Sequence, residues 1–132
     1  MDKKTSSLLK GYMQKASEKL RAAETLFKAQ EYDDAVSRAY YSAYHAAQAV
    51  LLTEELAAST HRGLVNLFGL HFVKTGKFDK KFGKFLANLK DDRERSDYEI
   101  YSTIDKEEAL QAIKEAQQFS SEVRSYLKKY IG

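Results

Sequence analysis

The stretch Ala35-Val36-Ser37-Arg38-Ala39-Tyr40-Tyr41-Ser42-Ala43-Tyr44-His45-Ala46-Ala47-Gln48-Ala49-Val50-Leu51 decides the fold. Its apolar residues are too many for one helical stripe. Val36, Ala39, Ala43, Ala46 and Val50 form one row at helical spacing, and Tyr40, Tyr44, Ala47 and Leu51 form a second. A helix that is apolar on most sides is covered on most sides. The stretch is therefore a central helix, and its alanines let neighbouring backbones come close. Tyr32-Asp33-Asp34 opens it, with an Asp at the cap and acidic charge near the positive end of the helix dipole. It runs to about Thr53.

Helices are expected on either side. Leu9, Met13, Ala16, Leu20, Ala23 and Phe27 fall at spacings of 4, 3, 4, 3 and 4, one face of an amphipathic helix over about 6–29 with Ser6 or Ser7 as cap. The short break at Gln30-Glu31 makes it an antiparallel neighbour of the central helix. Thr60 caps a third helix that starts near His61, turns Leu64, Val65, Phe68 and Phe72 inward and stops at Gly76. A fourth begins near Phe78-Asp79, buries Phe82, Phe85, Leu86 and Leu89, and fades near Arg95. Residues 96–104 read as a loop or turn. Asp105 then caps a last helix with Glu107 and Glu108 in its first turn and Leu110, Ile113, Val123 and Ile131 on its stripe. The fold class is all-α. We expect an antiparallel up-and-down bundle of about four long helices plus one short helix, a single domain over residues 1–132.

Composition narrows the function. Of 132 residues, 43% are hydrophobic and 31% charged, which suits a globular domain and not a disordered one. Pro is 0 and Gly only 6, too little turn punctuation for a β-sandwich. With Cys at 0 there is no disulfide framework, thiolate metal site or cysteine nucleophile. No run of apolar residues is long enough to span a membrane, and Met1-Asp2-Lys3-Lys4-Thr5-Ser6-Ser7 is no signal peptide, so a cytoplasmic chain is expected. The formal charge of +3 is uneven: +1 over residues 1–73, +4 over 74–95 and −2 over 96–132. A basic segment holding Lys74, Lys77, Lys80, Lys81, Lys84, Lys90, Arg93 and Arg95 is either a solvated helix face or a phosphate-binding patch.

Two polar groups could carry chemistry. Arg38, Tyr41 and His45 stand at i, i+3 and i+7 on the central helix and share one face, flanked by Ser42 and Gln48. An Arg and a His together can hold a phosphate and move a proton. They could equally hydrogen-bond across a helix seam. The second group is Arg93-Glu94-Arg95-Ser96-Asp97-Tyr98, where Asp97 could be a cap paired with Arg93. The three histidines, His45, His61 and His71, have no metal-ligand spacing, and neither a phosphate-binding glycine loop nor a nucleophile elbow occurs. No metal and no cofactor are expected.

The run Ala35–Ala47, with Arg38, Tyr40-Tyr41, Tyr44 and His45, resembles the second helix of small prokaryotic HEPN-domain proteins of the UPF0332 type. Arg93-Glu94-Arg95-Ser96-Asp97-Tyr98 is similar to that group's Arg-x-x-small-Asp-Tyr motif. The opening Lys-Ala-x-x-x-Leu-x-x-Ala helix and the closing Ala116-x-x-Phe119 match too, so the resemblance covers nearly the whole chain. It implies a helical bundle, a homodimer, and a minimal nucleotidyltransferase as partner in a toxin–antitoxin pair. Active members are metal-independent ribonucleases with an Arg, four to six residues, then a His. Arg38 and His45, six residues apart, meet that pattern. The family's motif sits later, where this chain has Asp97-Tyr98 in place of His.

Two functions follow as expectations. The first is a nucleotide- or RNA-binding module whose groove is lined by Arg38, Tyr41, His45, Arg93 and Arg95, with Lys81, Lys84, Asp97 and Tyr98 nearby. The second is a ribonuclease in which His45 moves the proton while Arg38 and Arg93 stabilise the phosphate. A ligand-free dimeric scaffold is the third possibility. Tyr98 could hydrogen-bond the phosphate or be modified by the nucleotidyltransferase.

Overall fold

The computed structural model describes residues 1–98, 100–101 and 104–131. These form five α-helices: α1 Lys3–Lys28, α2 Tyr32–Leu52, α3 His61–Phe68, α4 Lys80–Tyr98 and α5 Lys106–Ile131. No strand occurs among the described residues. None of the helices is long and apolar enough to cross a membrane.

Caps set most of the boundaries. α1 starts earlier than the serines suggest, because the Asp2 carboxylate accepts from the Thr5 amide at 2.7 Å. In α2 the acids Asp33 and Asp34 lie in the first turn, while Glu31 holds the cap position without a side-chain bond. The acids act there through the dipole and not as caps. Thr60 accepts from Gly63 N at 2.9 Å and starts α3. Asp105 accepts from Glu108 N at 2.8 Å and Glu108 returns a bond to Asp105 N, a reciprocal capping box at the head of α5. The tail of α3 widens into a π-helical turn over Gly69–Val73, closed by Lys74 N donating to Gly69 O at 2.8 Å. Gly76, at φ 84, then turns the chain in a conformation that suits glycine.

The segment after Arg95 corrects the sequence expectation. Residues 96–98 are helical, and α4 continues to Tyr98. Arg93 and Asp97 are thus an i, i+4 pair within a helix, not an arginine and a loop cap.

α2 is the central helix. It packs against α1, α3, α4 and α5. Ala35, Ala39, Ser42, Ala46 and Ala49 recur at spacings of 4, 3, 4 and 3, and all are fully enclosed. Ser42 Oγ donates to Ala16 O of α1 at 2.8 Å, so this stripe of small residues faces α1. At the far end Phe68, Phe72, Phe78, Phe82 and Phe119 form an aromatic cluster joining α3, α4 and α5. The four-helix core already covers Tyr40 and the α2 alanines. Surplus apolar surface on α2, the sequence argument for a dimer, is therefore absent. The exposed large apolar residues are Met1, Leu8, Leu70, Tyr98, Ile100, Tyr101 and Leu110.

The loop after α2 is tied down by one side chain. Gln48 Nε2 donates to Ala58 O at 3.0 Å, and Gln48 Oε1 accepts from Ala58 N at 3.3 Å. Gln48 is itself buried, so the amide satisfies both groups of the loop peptide out of water. We expect Gln48→Ala to lower unfolding stability by about 1–3 kcal/mol, because a backbone donor and acceptor lose their partners. Urea denaturation checks the value, and amide exchange should quicken first in the 53–60 loop.

Candidate functional site

A groove of about 490 Å³ opens between α1, α2 and the start of α3. Lys15 and Lys19 come from α1, Ser37, Arg38, Tyr41, Tyr44 and His45 from α2, and His61 from α3. The i, i+3, i+7 face of α2 thus forms one wall. The close approach enforced by the small-residue stripe brings the α1 lysines to the other. The lining has three permanent cations, two imidazoles and two phenols, and no carboxylate.

Beneath the groove lies an aromatic stack. The Tyr41 and Tyr44 rings are 5.9 Å apart, and His61 lies 6.0 Å from Tyr41 and 5.4 Å from Tyr44. Tyr44 also meets the His45 ring at 5.2 Å, so it stands between the two imidazoles. Tyr40 is wholly enclosed, and its hydroxyl is 2.6 Å from His61 Nδ1. Burial pushes the Tyr40 phenol well above its ordinary value, so it stays protonated at all working pH.

Arg93 reaches this stack from α4. It is only 7% exposed. Its guanidinium lies 5.4 Å from the Tyr40 ring centroid and 5.8 Å from that of Tyr41, its Nη1 donates to Asp97 at 2.9 Å, and the same nitrogen is 3.5 Å from the Tyr41 hydroxyl. An arginine so placed is an anchor. It holds the phenols by charge–ring attraction and offers little of itself to a ligand.

Both groove histidines titrate below the ordinary imidazole value. For His45 the main cause is burial, reinforced by Lys15 and Lys19. For His61 it is again burial, then Arg93 and Lys90, with Glu94 opposing. At neutral pH both are chiefly uncharged, able to accept a proton and to take up charge when an anion arrives.

The residues singled out from the sequence divide into three sets. Arg38, Tyr41 and His45 share the groove, and Arg93 supports it with Asp97 behind. Arg95 and Lys84 are not brought to it. Arg95 pairs with Glu108 of α5 at 2.8 Å, in a separate groove with Asp91, Asp92, Glu107 and Glu115. Lys84 interacts with Glu115 on that same side. Burial pushes the Asp92 carboxyl there up to about 6, with neighbouring acids adding to the shift and Arg95 opposing it. Lys81 stands over Phe82 at the head of α4, about 18 Å along the helix axis from Arg93. Tyr98 is 77% exposed at the end of α4. Tyr40, Tyr44, His61, Lys15 and Lys19 were not singled out. Their signal is in the chain nonetheless, because three tyrosines in five positions of an alanine-rich buried helix carry hydroxyls that packing alone does not require.

Comparison with known proteins agrees with this architecture. The HEPN domain profile matches residues 9–126. A Methanocaldococcus jannaschii protein named as a putative toxin is 39% identical over 119 residues, covering 88% of this chain and 86% of its own. A second protein of that organism with the same designation is 33% identical over 119 residues, covering 90% and 81%. A UPF0332 protein of Thermotoga maritima is 32% identical over 112 residues, 85% of each chain. With the five-helix bundle and a profile match across most of its length, this chain belongs to the HEPN domain family.

Proposed function

We propose that the chain is a toxin-type HEPN module that binds single-stranded RNA in the groove between α1, α2 and α3. The observation that carries this is the lining: Lys15, Lys19 and Arg38 for phosphates, Tyr41, Tyr44 and His61 for unpaired bases, and no carboxylate to repel them. Single-stranded nucleic acid is held by that combination of cations tracking the backbone and rings under the bases. The opposite groove, rich in carboxylates, would repel the same ligand. The two relatives named as toxins support the toxin reading. The family resemblance supports a minimal nucleotidyltransferase as partner, with exposed Tyr98 as a side chain such an enzyme could reach. It also supports a homodimer, and Tyr98, Ile100 and Tyr101 form the kind of exposed apolar patch that partners cover.

A second reading is metal-independent RNA cleavage. It is favoured by His45, half-buried beside Arg38 and next to the α1 lysines, where a neutral imidazole could act as a base on a bound strand.

Fluorescence anisotropy with a labelled single strand of about a dozen nucleotides tests the binding. Affinity should fall with salt, and each phosphate contact removed by Lys15→Ala, Lys19→Ala or Arg38→Ala should lower the logarithmic salt slope by about 0.7. Affinity should also rise as pH drops from 8 to 5. The histidines are neutral at the start and an anion favours their charged form, so proton uptake accompanies binding. His45→Ala should reduce that rise. Unchanged RNA affinity in an Arg38→Ala, Lys15→Ala double variant would sink the reading. Arg93→Ala should act differently, costing about 1–3 kcal/mol of stability through lost packing and hydrogen bonds, whereas Arg38→Ala stays within about 0.5 kcal/mol. Light scattering at micromolar concentration should give the mass of two chains, and a single-chain mass rejects the homodimer.

A further inference from the structure

His61 is held more firmly than His45. It is the first residue of α3, with Thr60 capping that helix and the Gln48 clamp fixing the loop that leads to it. Its Nδ1 is 2.6 Å from the hydroxyl of enclosed Tyr40. Nδ1 and Nε2 occupy opposite edges of an imidazole, so an Nδ1 edge turned to the interior leaves Nε2 toward the groove that His61 lines. A hydroxyl both donates and accepts. Tyr40 can therefore donate to a bare Nδ1 or accept from a protonated one, and His61 can gain or lose charge without losing its orientation. Among the described residues the His45 side chain contacts the Tyr44 ring and makes no hydrogen bond of its own.

We propose that His61, positioned by Tyr40, is a second proton-transfer residue of the groove, and that an RNA strand lying over Tyr44 is cut between the two imidazoles. The inference rests on the cleavage reading given above. His45 takes the proton of a ribose 2′-hydroxyl. The 2′-oxygen bonds to the adjacent phosphorus, the bond from phosphorus to the 5′-oxygen breaks with its electron pair, and the imidazolium of His61 protonates that leaving oxygen. The products are a 2′,3′-cyclic phosphate and a 5′-hydroxyl. Nothing is oxidised or reduced, and exchange with water resets the two rings. The assignment of acid and base follows the charges around each. His61 meets Lys90, Arg93 and Glu94 of α4 and the three tyrosines of α2, and Glu94 is the anion there that favours its charged form. His45 has Lys15 and Lys19 of α1 beside it, which favour the neutral base.

The test is single-turnover cleavage of a short single-stranded RNA in excess chelator, from pH 5 to 8.5, by parent, His45→Ala, His61→Ala and Tyr40→Phe proteins whose folding is checked by circular dichroism. His61→Ala should slow cleavage by about 10²-fold or more and lose the alkaline limb of the pH profile, which reports the acid giving up its proton. Added imidazole should restore part of the rate. Tyr40→Phe should keep both limbs, with a smaller loss and a displaced alkaline limb. A parent-like rate and profile for His61→Ala, with His45→Ala inactive, would overturn this proposal and leave the cleavage reading standing. Slow cleavage by His61→Ala with both limbs kept and no imidazole rescue would assign His61 to structure and overturn it as well. A parent that binds RNA yet leaves it whole at every pH would reject cleavage and this proposal together.

Discussion

The groove depends on how closely α1 and α2 approach. Ala35, Ala39, Ser42, Ala46 and Ala49 present nothing larger than a hydroxymethyl group to α1, and Ser42 donates to the Ala16 carbonyl across the contact. Side-chain volume at a helix contact sets the distance between the axes. Small residues here bring the Lys15 and Lys19 stems within reach of the Arg38 and His45 face. Three like charges converge on one groove because packing elsewhere on the same helices outweighs their mutual repulsion, which water screens at an open surface.

A second constraint is the charge placed inside. Arg93 is buried, but Asp97, its partner, is not, so the ion pair is partly screened and contributes modestly. The larger effect is geometric. The guanidinium rests on two phenol rings and touches the hydroxyl of one, which holds Tyr41 flat beneath the groove while Tyr40 is left to address His61. Attraction of this kind is on the order of 0.5–2 kcal/mol, enough to select an orientation but too small to hold the fold. The burial of Phe68, Phe72, Phe119 and the leucines does that.

Much of this was legible from residue patterns. The two apolar rows of α2 identified it as central, the short Gln30-Glu31 break paired it with α1, and the shared face of Arg38, Tyr41 and His45 is one wall of the groove. What escaped detection depends on contacts between distant residues. Tyr40 and His61 meet across 21 positions, through a loop whose course is set by Gln48, and no local periodicity encodes that. Arg93 looked like surface because charge usually is, and its burial follows from the phenols of another helix. The placing of Arg95 was recoverable in principle. Residues two apart on a helix point some 200° away from each other, so Arg93 and Arg95 could not both face α2 once α4 is known to continue through them. Taking 96–104 for a loop hid that opposition.

The wide turn at Gly69–Val73 bears on how related chains should be compared. A π-helical turn accommodates one residue more than the α-helix around it. A relative lacking one residue in that stretch would close it into ordinary α-helix and reach its counterpart of position 61 rotated by about 100°, with the side chain swung off the phenol that orients it here. The length of this turn is thus a gauge of kinship within the fold. Chains that keep the extra residue can present an imidazole to the tyrosine beneath, and chains that have lost it carry at that position a histidine in name only.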